Sequence, residues 1–530
     1  MKDSRSPFAS LLLALSSAIL LLISFPSFNQ PWCAWVALVP WLVALRGLTP
    51  RHAFLQSSLV GLIFFLGSLW WMVHLTAFGG WVAILGWLVL CAYLALYFGL
   101  FGYLVRSVCL LPSDFCLLII PSLWVALEFA RSHLLSGLGW NLLGYSQTPS
   151  LTAIQIADVT GVWGVSWLVV AVNVALARVV LEQDRRRSLT AALIAAALVV
   201  GSWSYGERRL RELRTTDAAS IAVVQGNIPQ DEKWDERFQA RILQQYERLT
   251  RDAAAHRLDL IIWPETAVPG VVGVDAQVTT WLHDRAIATQ TPILVGAPMV
   301  RPEAHGLLRL TNSAVLLDAA GTPTARYDKL HLVPFGEFVP FESIAPWLRD
   351  VLPAIGDFVP GREPTVFTIP VASFELRVSS SNPKPETRNS KLSFGVLICF
   401  EDTFPELARA MVSRGARMLV TITNDAWFGA TAAAYQHAQA STLRAVELRV
   451  PMVRAANTGW SGCIDAAGRW IASVHDPKGH ELFVEGVATC QVGTTDTTTL
   501  YRRWGDWLPW FCILLVIGWL ALSFSARRAR

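Results

Sequence analysis

Three ionisable residues of the 530-residue chain stand at or just after short β-like runs. Glu265 ends the first run, in Trp263-Pro264-Glu265-Thr266, and Lys329 sits in Tyr327-Asp328-Lys329-Leu330-His331, after Ala314–Leu317 and a Gly-containing turn. Cys399 closes Gly395-Val-Leu-Ile-Cys399 and is followed by Phe400 and Glu401. Strand ends of α/β folds are where loops bring distant groups together. A cysteine attacks a carbonyl as the thiolate, so it wants a base or a positive charge beside it. Glu265 has the chemistry to take the thiol proton and later return it to a leaving group or remove one from an incoming amine. Lys329 has the charge to stabilise the oxyanion of a tetrahedral intermediate. Taken singly, each residue also has a structural reading: a buried strand thiol, a helix-capping carboxylate, a solvated loop charge. Spacing along the chain leaves both readings open.

The elements that must position these residues lie between Ile221 and about Val492. β-rich runs recur at Ile221–Val224, Leu258–Trp263, Pro292–Val295, Phe394–Cys399 and Met418–Ile422. Amphipathic stretches alternate with some of them, such as Arg237–Ala255, whose apolar residues fall at helical spacing. The pattern predicts a layered α/β domain with covered sheets. The polar run Ser379–Lys391 interrupts it as a loop.

The rest of the chain has a different composition. Overall, 53% of residues are hydrophobic and 16% charged, with mean hydropathy +0.41 and 23 Trp, against about a quarter charged in a soluble chain. Only 16 of the 84 Asp, Glu, Lys and Arg residues lie in residues 1–206, and 68 lie in the remaining 324. This split excludes one uniform soluble enzyme and equally a pure bundle of membrane helices. Spanning the hydrocarbon takes about 20 mostly apolar residues. Seven candidate stretches precede residue 206, at roughly 8–26, 31–45, 54–75, 81–104, 115–130, 160–180 and 189–205, and an eighth lies at about 508–525. The expected organisation is a membrane domain at 1–206, a globular domain at 207–505, and an eighth helix with a basic tail at 506–530. The stretch 54–75 is read as one helix joined to the next by the turn Ala77-Phe78-Gly79-Gly80. The first stretch resembles a signal peptide in length, but it lacks a clean small-residue cleavage site and another apolar segment follows at once.

Basic residues in the short loops set the orientation. Lys2 and Arg5, Arg46 and Arg51, Arg106, Arg185–Arg187, and Arg527, Arg528 and Arg530 all fall on one side of the eight-helix arrangement. Both termini are therefore expected in the cytoplasm and residues 207–505 outside it, which in a Gram-negative cell is the periplasm. Glu128 and Arg131 lie three apart in the fifth stretch, a spacing that lets them pair on one helix face. Intramembrane charges are functional candidates, and a solvated pair at the outer helix end is the alternative. Trp70, Trp71, Trp140, Trp504, Trp507 and Trp510 fit interfacial anchoring. The net charge of +4 is too small to argue for nucleic acid. The eight Cys show neither CxxC spacing nor a disulfide framework and read as small apolar residues. No metal or cofactor is expected.

Glu, Lys and Cys in this order, in the contexts WPE, Tyr-Asp-Lys-x-His-Leu-Val-Pro-Phe-Gly-Glu and Cys-x-Glu, resemble the carbon–nitrogen hydrolase (nitrilase) superfamily. Within it the chain is similar to the apolipoprotein N-acyltransferases, bacterial membrane enzymes with a nitrilase-like domain. The likeness covers nearly the whole chain. It includes the seven-plus-one helix arrangement, Gly144–Gln147, Gln225–Gln230 followed by Lys233-Trp234, Asn424–Gly429, Gln436-His437, Arg444–Glu447 and Arg454–Gly459. The resemblance implies an α-β-β-α sandwich with Cys399 as nucleophile, Glu265 as general base and Lys329 as oxyanion stabiliser. It implies that Glu337 holds Lys329 or assists proton transfer, and that Trp234 and Glu401 belong to the site's surround. Phe400 stands where the family often has Tyr, so no hydroxyl is available there.

The implied reaction has two steps. Cys399 takes a fatty acyl chain from a phospholipid, expected to be phosphatidylethanolamine, as a thioester. The α-amine of an apolipoprotein's diacylglyceryl-cysteine then receives it. The expected enzyme is a multi-pass, monomeric protein of the inner membrane. Water must be kept from the thioester; the loops Pro334–Phe341, Phe358–Pro360 and Trp427–Gly429 are candidates for that, with plain packing as the alternative. Two rival classes remain: a membrane-tethered amidase in which water resolves the thioester, and a transporter or assembly factor whose outer domain only binds. Against the last, the sequence suggests no broken-helix pair of the kind translocation paths use.

Overall fold

The computed structural model describes residues 6–108, 115–303, 306–340, 342, 346–347, 356–371 and 390–528. It divides into two compact units, one of residues 1–212, 431–439 and 499–530, the other of 213–430 and 440–498.

In the second unit, twelve strands are found among the described residues: β1 (Thr216–Gln225), β2 (Leu260–Ile262), β3 (Ile293–Pro302), β4 (Leu308–Leu317), β5 (Pro323–Asp328), β6 (Val366–Val371), β7 (Ser390–Ile398), β8 (Met418–Thr423), β9 (Met452–Ala456), β10 (Gly462–Ile464), β11 (Trp470–Ser473) and β12 (Gly486–Thr494). They form two six-stranded sheets, ordered β12-β1-β2-β3-β4-β5 and β11-β10-β9-β8-β7-β6. Each has a parallel core, β1-β2-β3 or β7-β8-β9, flanked by antiparallel strands. Parallel neighbours need a crossover. Helices Glu236–Ala254 and Ala276–Thr289 supply it in the first sheet, and Pro405–Ser413 and Ala432–Leu448 in the second.

The core explains why those strands read as continuous apolar runs. Ile261, Trp263, Ile293 and Val295 pack against Ile242, Leu243, Tyr246 and Leu249 of the first helix and Val278 and Leu282 of the second. The alternate residues Leu260, Ile262 and Leu294 are buried as well. Where the two sheets face each other, a side chain at Gly296 of β3 would meet Ile422 Cδ1 of β8 at 2.9 Å. Both faces of each parallel core are thus covered, so periodicity two disappears. The expected layering of two sheets between helices is present.

Cys463 of β10 and Cys490 of β12 form a disulfide that ties the second sheet to the first. This corrects the reading of all eight Cys as packing residues. The two are 27 apart, and only strand placement brings them together. Of the polar run 379–391, residues 379–389 lie outside the described residues.

In the first unit, four of the described helices are long and apolar enough to cross a membrane: Trp81–Ser107, Cys116–His133, Val162–Leu181 and Arg185–Glu212. Pro50–Ser68 and Trp70–Gly79 make a fifth if counted as one span, bent by 57°. The remaining stretches hold shorter apolar helices, Pro7–Ile23, Pro31–Gly47 and Trp507–Ser523. Pro31–Gly47 is short because it is built of separate turns around Pro31 and Pro40. The bend at Leu69 corrects two expectations, that 54–75 is one helix and that no broken pair exists. Periodic hydrophobicity continues through such a break and does not report it.

Glu128 and Arg131 are buried, which removes the solvated-pair reading. Glu128 Oε1 accepts the Leu143 N–H at 2.7 Å, and Arg131 Nη1 donates to Trp140 O at 2.8 Å. Trp71 and Trp140 are also buried rather than interfacial, and both indoles donate to Gln436 Oε1 of the same unit, at 3.0 and 2.8 Å. Trp70, Trp504 and Trp510 are exposed.

Candidate active site

Three strand ends of the α/β unit supply the site. β2 stops at Ile262, and Trp263-Pro264 carry the chain to Glu265, after which Thr266 takes a left-handed backbone, φ +46°. β5 stops at Asp328, so Lys329 is the first residue beyond it. β7 stops at Ile398, and Cys399 itself has φ +57° before a 3-10 turn from Cys399 to Thr403. Left-handed backbone costs a non-glycine residue of order 1–3 kcal/mol and persists only where the surroundings impose it. Here it turns the chain directly after Glu265 and at Cys399 itself.

The charged groups form one cluster. Lys329 Nζ lies 2.9 Å from Glu337 Oε2 and 3.5 Å from Glu265 Oε1. Asn312 of β4 bridges the two carboxylates, its Nδ2 donating to Glu265 Oε1 at 2.6 Å and to Glu337 Oε1 at 2.7 Å. The Asn424 N–H, just past β8, donates to Glu265 Oε2 at 2.9 Å. Lys329 is held at its main chain too, with its N–H on Asn312 O at 2.8 Å and its carbonyl on the Gly361 N–H at 2.7 Å.

Burial opposes the Lys329 charge, but Glu337 and Glu265 outweigh it and hold the ammonium above the usual lysine range. The Cys399 thiol is pushed up, first by burial and then by the Glu265 charge, with Lys329 acting the other way. These mutual influences put thiol, carboxylate and ammonium within electrostatic reach of one another. The resting thiol is therefore neutral, and chemistry at sulfur requires a base. Glu265 is the carboxylate whose charge acts most strongly on that thiol.

Glu401 ties two of the strand ends together. It accepts hydrogen bonds from the Leu330 and His331 N–H groups, the Ile398 N–H and the Tyr327 hydroxyl, at 2.7 to 3.0 Å. Burial pushes its carboxyl up to about 7. The Phe400 ring meets those of His331 and Phe404 at 5.4 and 5.1 Å. Trp234, by contrast, is 49% exposed on its turn. In the candidate covering loops, Phe335 is exposed and its N–H bonds Phe338 O, and the Val359 N–H bonds Leu310 O. Phe341 lies outside the described residues.

Sequence reasoning missed Asn312 and the layer beneath Cys399. Arg454 of β9 donates to Asp402 Oδ2 at 3.0 Å and Asp425 Oδ2 at 3.1 Å, all three buried. Asp402 is three residues beyond Cys399, so this ion cluster anchors the turn that carries the thiol. Arg454 and Asp425 sit in stretches singled out above for family likeness, but Asn312 carries no local signal.

A membrane protein with a carbon–nitrogen-hydrolase-type α/β unit is the class that this fold and site define. The carbon-nitrogen hydrolase family matches residues 220–495, and the apolipoprotein N-acyltransferase N-terminal domain matches 17–175. The apolipoprotein N-acyltransferase of Geobacter metallireducens is 37% identical over 98% of this chain and 96% of its own length. That of Methylococcus capsulatus is 34% identical over the same shares, and that of Chlorobaculum tepidum 31% over 97% and 96%. An amidase from Nesterenkonia, among solved structures, has TM-score 0.34 and 17% identity, covering 55% of this chain and 94% of that one. The chain belongs to the apolipoprotein N-acyltransferase family and is a membrane acyltransferase.

Proposed function

We propose that the protein moves a fatty acyl chain from a membrane phospholipid, through a thioester on Cys399, to the α-amine of the diacylglyceryl-cysteine that begins an apolipoprotein. The observation that carries this reading is the cluster in which Glu265, Lys329 and Glu337 share Asn312 within electrostatic reach of the half-buried Cys399.

Glu265 takes the Cys399 proton as sulfur attacks the ester carbonyl, and the Lys329 ammonium faces the developing oxyanion. Collapse breaks the carbon–oxygen bond, and Glu265 returns the proton to the departing alkoxide, leaving lysophospholipid. The incoming amine attacks the thioester, gives a proton to Glu265, and expels the Cys399 sulfur, which recovers it. Glu337 keeps Lys329 ionised and in place. The remaining surround is Glu401, Phe400 and Trp234.

Phosphatidylethanolamine is the donor in this reading, and the enzyme works as a monomer in the inner membrane. Eight helices anchor the chain, in residues 1–206 and 506–530, with both termini cytoplasmic and residues 207–505 in the periplasm. Basic loops support that orientation, and so does the Cys463–Cys490 disulfide, since such bonds persist in oxidising compartments.

The test is incubation of purified protein with labelled phosphatidylethanolamine and a diacylated lipopeptide. A labelled thioester on Cys399 that passes its acyl group to the peptide is expected. Release of free fatty acid without acylated peptide would turn the reading to an amidase-like hydrolase.

A further inference from the structure

Lys233 is a buried cation that the acyl-transfer steps leave unused. It lies in the loop after β1, is 1% exposed, and its Nζ donates to the main-chain carbonyl of Glu265 at 3.1 Å. Among the described residues that carbonyl is its hydrogen-bond partner, and no carboxylate lies within ion-pair distance of it. A buried ammonium facing one neutral acceptor is costly, and burial pulls this one down to about 7 against the charge of Glu265. A cost of this kind persists where the group does something that an apolar side chain would not.

The carbonyl it holds belongs to the Glu265–Thr266 peptide, just before the left-handed Thr266. On the other side Gly296 presses on this turn: a Cβ there would stand 2.4 Å from Pro264 O and 2.6 Å from Glu265 Cα. The loop of Lys233 also reaches the Glu265 carboxylate by a second route. Gln230 Oε1 accepts from Asn424 Nδ2 at 2.6 Å, and the Asn424 N–H donates to Glu265 Oε2. One loop therefore fixes both ends of Glu265, its peptide through Lys233 and its carboxylate through Gln230 and Asn424.

We propose that Lys233 is a positioning residue, whose ammonium holds the strained turn at Glu265 so that the carboxylate stays aimed at the Cys399 thiol. The proposal rests on the reading of Glu265 as the base. The experiment compares K233M, K233Q and K233R in the full-length, detergent-purified protein. Each is read by the alkylation rate of Cys399 with iodoacetamide (followed by mass spectrometry), by kcat and KM for acyl transfer, and by the thermal midpoint.

Alkylation needs no acyl donor, so it reports on the Glu265–Cys399 pair even if the acyl-transfer reading fails. K233M is expected to slow alkylation and kcat together by about tenfold, the scale of a small misplacement of a reacting group, with KM within about twofold. K233Q, which keeps a donor without the charge, should be intermediate, and K233R should recover most of both rates. If K233M does not fold, the ordering of folded K233Q and K233R decides. Unchanged alkylation in K233M or K233Q would overturn the proposal. So would a fall in kcat that alkylation does not follow, or a folded K233R as slow as K233M.

Discussion

The two sheets of the α/β unit share one plan, a three-strand parallel core between antiparallel flanks, yet their strand ends differ in how they carry charge. In the first sheet, the ends of β2 and β5 bring Glu265 and Lys329 face to face, joined by Glu337 and Asn312. In the second, the end of β7 presents an uncharged thiol, and the ions lie beneath it as the Asp402–Arg454–Asp425 cluster. In the proposed reaction, charge in the first half acts on the reacting group. In the second half it braces a turn, because a sulfur flanked by bare carboxylates would hold its proton more tightly still.

Replacing the groups one at a time tests that division. C399A should have the largest effect, about a 10⁴-fold or greater loss of lipopeptide acylation, with no labelled thioester on the protein and an unchanged thermal midpoint. A C399A protein that still acylated the peptide would remove the second half from the chemistry.

Next come E265Q and K329M. E265Q should slow thioester formation by about 10²–10⁴, the range for a lost general base. K329M should slow it by about 10²–10³ through loss of the oxyanion's counter-charge. The two are separable by Cys399 alkylation: E265Q, which removes the proton acceptor, should lower it most, while K329M, which removes the charge that draws the thiol down, should slow it less and act chiefly on turnover. Equal effects on alkylation would blur the distinction between base and oxyanion stabiliser.

R454M should act on stability first. It removes the cation that two buried carboxylates share, a change worth about 3–5 kcal/mol, read as a lower denaturation midpoint. The surviving folded fraction should keep acylation within about tenfold. A severe loss of turnover in stably folded R454M would put the lower ion cluster into the chemistry.

The smallest effect is expected at Glu401, whose carboxyl is pushed up to about 7 in the folded protein. An unfolded glutamate titrates near 4.3, so the folded state binds the extra proton between those values. The stability this contributes is present in full below about pH 4.3 and is lost as pH rises through about 7. The thermal midpoint of the wild type should therefore fall across that window, and E401Q should remove that part of the slope. An identical slope in E401Q would show that Glu401 is ionised in the fold and acts only as a hydrogen-bond acceptor.

Much of this was legible in the residues themselves. Strands buried on both faces are mostly apolar, so five of the six parallel-core strands, β1, β2, β3, β7 and β8, stood out as runs at Ile221, Leu258, Pro292, Phe394 and Met418. β9 of the second parallel core was not read, since Arg454 interrupts its buried run, and the flanking strands β5, β6, β11 and β12 mix partly buried positions with exposed ones. Helices in the membrane unit followed from charge depletion, because hydrocarbon excludes ionised side chains over a fixed length. The bend at Leu69 did not, since an apolar run reads alike whether the helix is straight or broken.

By itself the sequence determined the division into a charge-poor and a charged part, the α/β class, and the three side chains whose chemistry suits acyl transfer. These are local properties of composition, period and residue type. Tertiary structure alone decided that Asn312 joins two glutamates, that Asn424 meets Glu265 from 159 residues away, and that Lys233 holds the same residue at its carbonyl. It also decided that Cys463 and Cys490 are bonded. Hydrogen bonds and ion pairs act over about 3 Å in space and leave no spacing in the chain, so they become visible only when the sheets set the strand ends side by side.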